Sequence, residues 1–597
     1  MDKTDRRLAT VCVGVVLAAL ACTWPVAESG VIDDWCYAKA ALDLAQTGHL
    51  QYRGWGGSMI GAQAYWGALF IKLFGFSFLV LRLSTLPLAL GSVVLLYLLC
   101  RQAALPPGLA LFGTLALALT PIFLICAVTF MTDIPALFLL LLSMYGYTRL
   151  AQELEQDGSP WRLRLWGWTT LGLAAGILGG TVRQVVWFVP ITASAYLFAR
   201  AWRERRLARS FVPVVVSGLI ALDVAMELQA WYNMQPFAMR LSIEWRSYFM
   251  PGVLTGACSL LAIVLQTVGL MLLPVLTALP LLYYYRLRDL RLRWLCFAGA
   301  LFCAALLWIG GLWCYREADY GGTVFFDFLN GVASVFPLLF GSTPVPVGVT
   351  QPTMPVPAWW TVQGIVSVFV CFALSLGISA PLWPNGRTRY NAPAVVRMLI
   401  AFSAAYISII FIHCFGSHAE EMMDRYLLEL AIPLIMVILG VYWRWTGSSR
   451  LPGLSWLVLA LICFYGVAQA HDYFALLRAR VAMTDRLQQQ GIPRTQIMAG
   501  TEHDCWTQLS TAGYINDPRI RYPEGLKFRR VAPLGFETLY LGWQLTPVVR
   551  PHFVVALAPH PGLKAAGIPP ACYTCWLPPF RRSLMAQLGP EALSSKN

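Results

Sequence analysis

The sequence predicts an α-helical polytopic membrane protein of about 13 transmembrane helices, with a small extracytoplasmic α/β domain at its C-terminal end. Three observations lead there. The 597 residues are 58% hydrophobic and only 12% charged, with a mean hydropathy of +0.61, which soluble domains of this length do not reach. Several apolar runs exceed the roughly 20 residues needed to cross a bilayer. The net charge of +14, most of it arginine, falls in short clusters between those runs. That is how cytoplasmic loops lie beside anionic lipid, and no nucleic-acid-binding motif accompanies it.

Met1–Arg7 carries Lys3, Arg6 and Arg7 and is read as cytoplasmic. The apolar run after it lacks a small-x-small cleavage site and is long enough to stay as an anchor. Span one is Leu8–Ala27. The first outer loop, 28–81, holds two amphipathic pieces, Trp35–Thr47 and Ile60–Phe74, broken by Tyr52-Arg53-Gly54-Trp55-Gly56-Gly57. Such pieces suit the membrane interface. Span two runs to Cys100, and Arg101–Pro107 is an inside turn. Span three ends near Val128, the outer turn Thr129–Pro135 follows, and span four ends near Tyr147. Spans five and six form a hairpin around Arg183-Gln184, and Arg200–Arg206 is inside. Span seven is Phe211–Ala230, span eight ends at Tyr285, and Arg286–Arg293 is inside.

After span nine, the Pro- and Gly-rich outer loop 315–360 is a candidate lid. Span ten ends near Pro381, span eleven near Phe415, and the turn Gly416–Tyr426 leads into span twelve. Span thirteen ends near Ala470, so the expected division is a membrane domain, 1–470, and an outer domain, 471–597. The outer domain shows a helical stretch, Phe474–Gln490, and short apolar strands, Gln496–Ala499 and Phe553–Leu557. An odd span count with the N-terminus inside places it extracytoplasmically. The expected location is a bacterial-type cytoplasmic (inner) membrane. Of 15 cysteines most lie in apolar runs, where Cys behaves as a small hydrophobe. Cys505, Cys572 and Cys575 do not, and in an oxidising compartment a disulfide from Cys505 to one of the pair is expected.

This topology gathers polar groups on the outer face: Asp33 and Asp34 after span one, Asp133 after span three, Arg183 and Gln184 after span five, and Glu420, Glu421, Asp424, Arg425 and Tyr426 before span twelve. Acids at a membrane boundary are functional candidates. Each also has a bland reading. Asp33 or Asp34 caps a helix; Asp133, two residues before Pro135, caps span four; Arg183 snorkels to headgroups; Asp424 and Arg425 form a local pair. His418 with Glu420 and Glu421 is a possible divalent-metal or acceptor site, although the spacing matches no strong metal signature. Carboxylates and arginines at one depth suit glycosyl transfer from a lipid-phosphate sugar. Arginine stabilises the leaving phosphate, and a carboxylate takes the acceptor proton. The competing class is a transporter or flippase of lipid-linked sugars. Acids at span ends and the lack of an internal repeat favour the enzyme.

The motifs then become specific. Asp33-Asp34-Trp35-Cys36-Tyr37-Ala38, Leu73-Phe74-Gly75-Phe76 with Leu81-Arg82-Leu83, Thr132-Asp133-Ile134-Pro135, Arg183, and Asp424-Arg425-Tyr426-Leu427-Leu428 together resemble the GT-C superfamily of membrane glycosyltransferases. Within it the nearest likeness is to protein O-mannosyltransferases and to the aminoarabinose transferase that modifies lipid A. The resemblance implies a GT-C fold, an inverting mechanism and a polyprenyl-phosphate sugar donor. It implies Asp33 as catalytic base, with Asp133 holding acceptor or sugar. Arg183 and Arg425 would contact lipid phosphate, and Asp34, Tyr37, Gln184 and Tyr426 would line the donor site. The lysine that approaches phosphate in the lipid A enzyme has no counterpart in Gly57-Ser58-Met59, and Arg53 is the candidate substitute. The usual proline of the late motif is Glu429. Relatives differ in metal use, so no cofactor is implied with certainty. The acceptor is a lipid, polysaccharide or protein, and membrane lipids are the other partners.

Overall fold

A computed structural model describes residues 2–155, 163–204, 207–238, 253–279, 298–299, 301–302, 304–305, 364–373, 393–417, 424–515, 546, 548–557, 559, 563–577 and 580–589. The chain is a multi-pass membrane protein. Among the described residues seven helices are long and apolar enough to cross a membrane, or eight when one bent pair is counted as a single span. Most of span nine, about half of span ten and the whole candidate lid 315–360 fall outside the described residues.

Helix α1 (Lys3–Cys22) begins five residues before the expected span, because the Asp2 carboxylate accepts from the Asp5 N–H and caps it. It ends before Trp24-Pro25, where proline disfavours helix in the preceding residue. At this N-terminal end Asp5 accepts from Tyr97 (2.9 Å) and Arg101 (2.7 Å), tying α1 to α4 (Phe78–Gln102). The first loop holds α2 (Asp34–Thr47) and α3 (Gly61–Phe74), within a residue of the two amphipathic pieces expected.

Expected span three is not one straight helix. It is α5 (Pro107–Ala118) and α6 (Pro121–Ala127), bent by 69°. Thr120 caps α6 through the Phe123 N–H, and Pro121 supplies no N–H to continue α5. Next come α7 (Asp133–Glu155), α8 (Leu163–Val182), a 3-10 turn (Gln184–Trp187) and α9 (Phe188–Arg203). Helices α7 and α8 pack through glycine: a Cβ on Gly146 would stand 2.7 Å from the Gly172 backbone nitrogen, and Ser143 Oγ donates to the Gly172 carbonyl at 2.6 Å. Small residues permit such close approach where lipid supplies no hydrophobic drive between helices. Helices α10 (Leu207–Met234), α11 (Val253–Leu276), α12 (Ala394–Ser417) and α13 (Leu428–Thr446) complete the bundle, with the shorter apolar helix Gly364–Ala373.

Helix α14 (Gly453–Gln489) merges expected span thirteen with the helical stretch expected after it. At 1.5 Å per residue it is about 55 Å long, well beyond a hydrocarbon core of about 30 Å. Position 470, the expected domain boundary, therefore falls inside a continuous helix. Its far end packs on a sheet of β1 (Ile497–Met498), β2 (Phe553–Ala556), β3 (Lys564–Ala565), β4 (Ala571–Thr574) and β5 (Arg581–Leu588), in the order β1-β2-β5-β3 with β4 on β5. Strands β1 and β2 are parallel, and the other pairs are antiparallel. Helix α15 (Thr501–Ala512) follows β1.

This C-terminal unit meets the first loop. Arg478 donates to the Trp24 carbonyl (2.9 Å), the Ile515 N–H donates to the Arg53 carbonyl (2.9 Å), and Trp506 stacks on Phe76. The expected disulfide is not formed. Cys505 is packed with Trp35 and Cys36 in the first-loop cluster, Cys575 belongs to the sheet's own cluster, Cys572 is exposed, and all three thiols are free. Two separate cores hold the sulfurs apart.

Candidate active site

The segment after α1 makes no regular structure and is held by one side chain. Arg82, 2% exposed, donates to the carbonyls of Pro25 (3.1 Å), Ala27 and Ser29, with its guanidinium over the Phe474 ring at 4.9 Å. The segment ends at Ile32, whose φ of +53° is costly for a β-branched residue and persists only where its surroundings over-determine it. Asp33 follows in the N-cap position of α2.

Its carboxylate makes no capping bond. It turns the other way: Oδ1 accepts from Trp55 Nε1 at 2.8 Å and Oδ2 from Arg425 Nη2 at 3.2 Å. Asp34 points elsewhere. Fully buried, it accepts from the Val31 N–H (2.6 Å) and the Phe130 N–H (3.3 Å), joining the loop that carries Asp33 to the loop that carries Asp133. Gln63 holds the same second loop by donating to the Phe130 carbonyl at 2.7 Å. Burial pushes the Asp34 carboxyl up to about 7, against the pull of Arg82 and of its two backbone donors. Asp34 was expected to line the donor site, and the structure places its oxygens on backbone amides instead.

Asp133 opens α7, and Arg183 stands where α8 gives way to the 3-10 turn. Arg183 Nη1 lies 2.8 Å from Asp133 Oδ1 and 3.6 Å from Glu429 Oε1. Arg425, in the 3-10 turn Asp424–Leu427 before α13, places its Nε 3.8 Å from the same Asp133 oxygen. The Tyr426 ring lies under both guanidiniums, with centroid distances of 4.6 Å to Arg183 and 5.4 Å to Arg425. The result is one cluster of three carboxylates and two guanidiniums, drawn from residues 33, 133, 183, 425 and 429. Exposure separates its members. The Asp33 side chain is 22% exposed, against 1% for Asp133 and 2% for Glu429. Asp133 Oδ1 lies near both arginines, and Asp33 is the most exposed carboxylate of the cluster.

The remaining expected residues divide. Tyr37, one turn after Asp33, is buried against Gly56, and burial holds its phenol well above the usual range, so it stays neutral. The Gln184 side chain donates to the Gly57 carbonyl at 3.2 Å, fastening the glycine-rich strap to the α8–α9 hairpin. Arg53, the candidate substitute for a phosphate-binding lysine, is engaged elsewhere in the structure. Its guanidinium pairs with Asp43 (2.9 and 2.7 Å) and donates to the Gly513 carbonyl (3.1 Å), a link to the C-terminal unit. His418, Glu420 and Glu421 lie outside the described residues. Among the described residues no group of three His, Cys, Asp or Glu is placed to hold a metal ion. Sequence reasoning missed Trp55 and Glu429 as members of the site. A charged residue within the first turn of an apolar span was the available signal for Glu429.

Residues 62–231 match the family model described as dolichyl-phosphate-mannose-protein mannosyltransferase. Over that segment the match agrees with the likeness to protein O-mannosyltransferases read from the motifs. Among solved structures the chain is similar to the S. cerevisiae protein O-mannosyltransferase Pmt1-Pmt2 complex bound to the sugar donor, with a TM-score of 0.30 and 14% identity. That match covers 38% of this chain and 33% of the other. It is similar to ArnT from Cupriavidus metallidurans bound to undecaprenyl phosphate, with a TM-score of 0.36, 14% identity and 98% of each chain covered. It is also similar to the archaeal oligosaccharyltransferase AglB from Archaeoglobus fulgidus in complex with an inhibitory peptide and a dolichol-phosphate. There the TM-score is 0.39 at 13% identity, covering 81% of this chain and 58% of the other. No curated protein sequence matches the chain.

Proposed function

We propose that the chain is a membrane glycosyltransferase of the GT-C type, moving a sugar from a polyprenyl-phosphate donor to an acceptor on the extracytoplasmic face. The observation that carries the reading is the pairing of Asp33, the most exposed carboxylate of the cluster, with Arg425. The donor phosphate enters beside Arg425 and Arg183, whose planar forks match its oxygens. Arg425 then has a competing anion, and its hold on Asp33 loosens. Asp33 accepts the acceptor's O–H proton while that oxygen attacks the anomeric carbon from the face opposite the phosphate. The C1–O bond breaks, its electrons pass to the phosphate oxygen, and the guanidiniums stabilise the charge that develops there. Attack opposite the leaving group inverts the anomeric configuration. Trp55 holds the second Asp33 oxygen by its indole N–H, fixing the carboxylate plane.

In this reading the site faces the periplasmic side of a bacterial-type inner membrane, with the N-terminus in the cytoplasm. The C-terminal unit, docked on the first loop, contributes to the choice of acceptor. The test is sugar transfer by purified protein carrying Asp33→Asn, which keeps shape and removes the base. A loss of about 10²–10⁴-fold in rate is expected. Transfer at the wild-type rate refutes Asp33 as base, and movement of lipid-linked sugar across vesicles without any transfer favours a flippase.

A further inference from the structure

We propose that Glu429 makes this site discriminate between the two phosphates it meets: it admits the singly charged phosphodiester of a lipid-linked sugar and expels the more negative lipid phosphomonoester left after transfer. This rests on the reading of Arg183 and Arg425 as the phosphate site. Glu429 is in the first turn of α13, 2% exposed, with Oε1 3.6 Å from Arg183 Nη1. Its other oxygen, Oε2, is buried and accepts no hydrogen bond among the described residues, and neither does Asp133 Oδ2. Arg183 faces two carboxylates, Asp133 at 2.8 Å and Glu429 at 3.6 Å, and Arg425 faces Asp33 and the same Asp133. With all five groups charged, three carboxylates against two guanidiniums leave one net negative charge. A buried acceptor without a partner is costly, and a negative neighbour raises that cost.

A phosphodiester carries one negative charge, and a phosphomonoester carries nearly two above its second pKa of about 6. A phosphate oxygen within hydrogen-bond reach of Arg183 would stand at most about 6–7 Å from Glu429 Oε1. At that range and an effective dielectric near 20, each further unit of negative charge costs roughly tenfold to a hundredfold in affinity. Asp133 contributes in the same sense, but its Oδ1 is engaged by the Arg183 guanidinium. Glu429 is the more weakly paired of the two, and it is the one placed to sense the extra charge. Transfer converts diester into monoester in place, so the repulsion appears only after the bond has broken. It speeds departure of the product, while the donor meets only the repulsion of its single charge.

The experiment measures binding of undecaprenyl phosphate and of its methyl diester to the full-length protein in detergent at pH 8, by native mass spectrometry. Wild type is compared with Glu429→Gln and Glu429→Pro. Proline is tolerated in the first turn of a helix, so the second variant covers a failure of the first to fold. Removing Glu429 frees Arg183 for both lipids alike, and the ratio of affinities isolates the effect of the second charge. The expected result is a shift of that ratio toward the monoester by tenfold or more in either variant. An unchanged ratio with both lipids bound overturns the role of Glu429 alone. Failure of every protein to bind either lipid overturns the phosphate site and this inference together.

Discussion

Replacing Arg82 by Met tests how the site is built. The guanidinium meets three carbonyls of the segment after α1, and those of Ala27 and Ser29 are in buried surroundings. Met fills much of the volume against Phe474 but donates nothing. Two buried acceptors left without partners cost about 2–6 kcal/mol in all, and hydrogen bonds to a charged group lie at the upper end of the range. A whole domain is stable by only about 5–15 kcal/mol. The loss falls on the segment 23–33, which has no helix of its own, so that segment opens while the α7–α8 pair stays packed through glycine. Asp33 then loses its fixed position beside Arg425, and a displacement of about 1 Å at a reacting group costs about 10²-fold. Hydrogen exchange read by peptide should rise over 23–34 and stay unchanged over α7 and α8, with transfer reduced about 100-fold. Arg82→Lys should fall between, since one ammonium can meet one of the carbonyls but not span three. Wild-type exchange over 23–34 in the Met variant would refute the clamp.

Three further outcomes follow from the geometry. A Cβ on Gly180 would overlap the Trp187 indole, so Gly180→Ala should unseat the turn that presents Arg183. Loss of transfer with the helical content kept is the expected result, measured by activity and circular dichroism. Burial raises Asp34 from 3.8 to about 7. Between those values the folded chain keeps a proton that the unfolded chain has released, so this contribution to stability is full below about pH 4 and lost as pH rises through about 7. Thermal unfolding in detergent should show that decline in wild type and a smaller one in Asp34→Asn; identical slopes would count against it. Maleimide labelling of native protein should modify exposed Cys572 and spare Cys505 until denaturation, without prior reduction. A requirement for reductant would restore the disulfide.

The sequence made the helices legible because hydropathy acts locally. Expected pieces such as Trp35–Thr47 and Ile60–Phe74 are found within a residue. Errors came where a local signal met a tertiary one. The bend at Thr120-Pro121 was written in the chain but hidden in a continuous apolar run. The join of span thirteen to the helix beyond it was hidden by a change in polarity at His471, which buried contacts with the sheet compensate. Arg53 had the right charge at the right place in the loop, yet Asp43, one helix away, claims it.

By itself the sequence determined that this chain spans a membrane many times and carries acids and arginines at the ends of its spans, since charge in an apolar chain stands out wherever it falls. Its motifs also singled out Asp33, of two adjacent acids, as the expected base. Only the tertiary structure shows where each of the two points. Neighbouring residues at a helix start point in directions about 100° apart, since a turn takes 3.6 residues. One direction leads to the Val31 and Phe130 amides and the other to Arg425. Phe130 and Arg425 come from chain 96 and 392 residues away, a separation that no local pattern encodes.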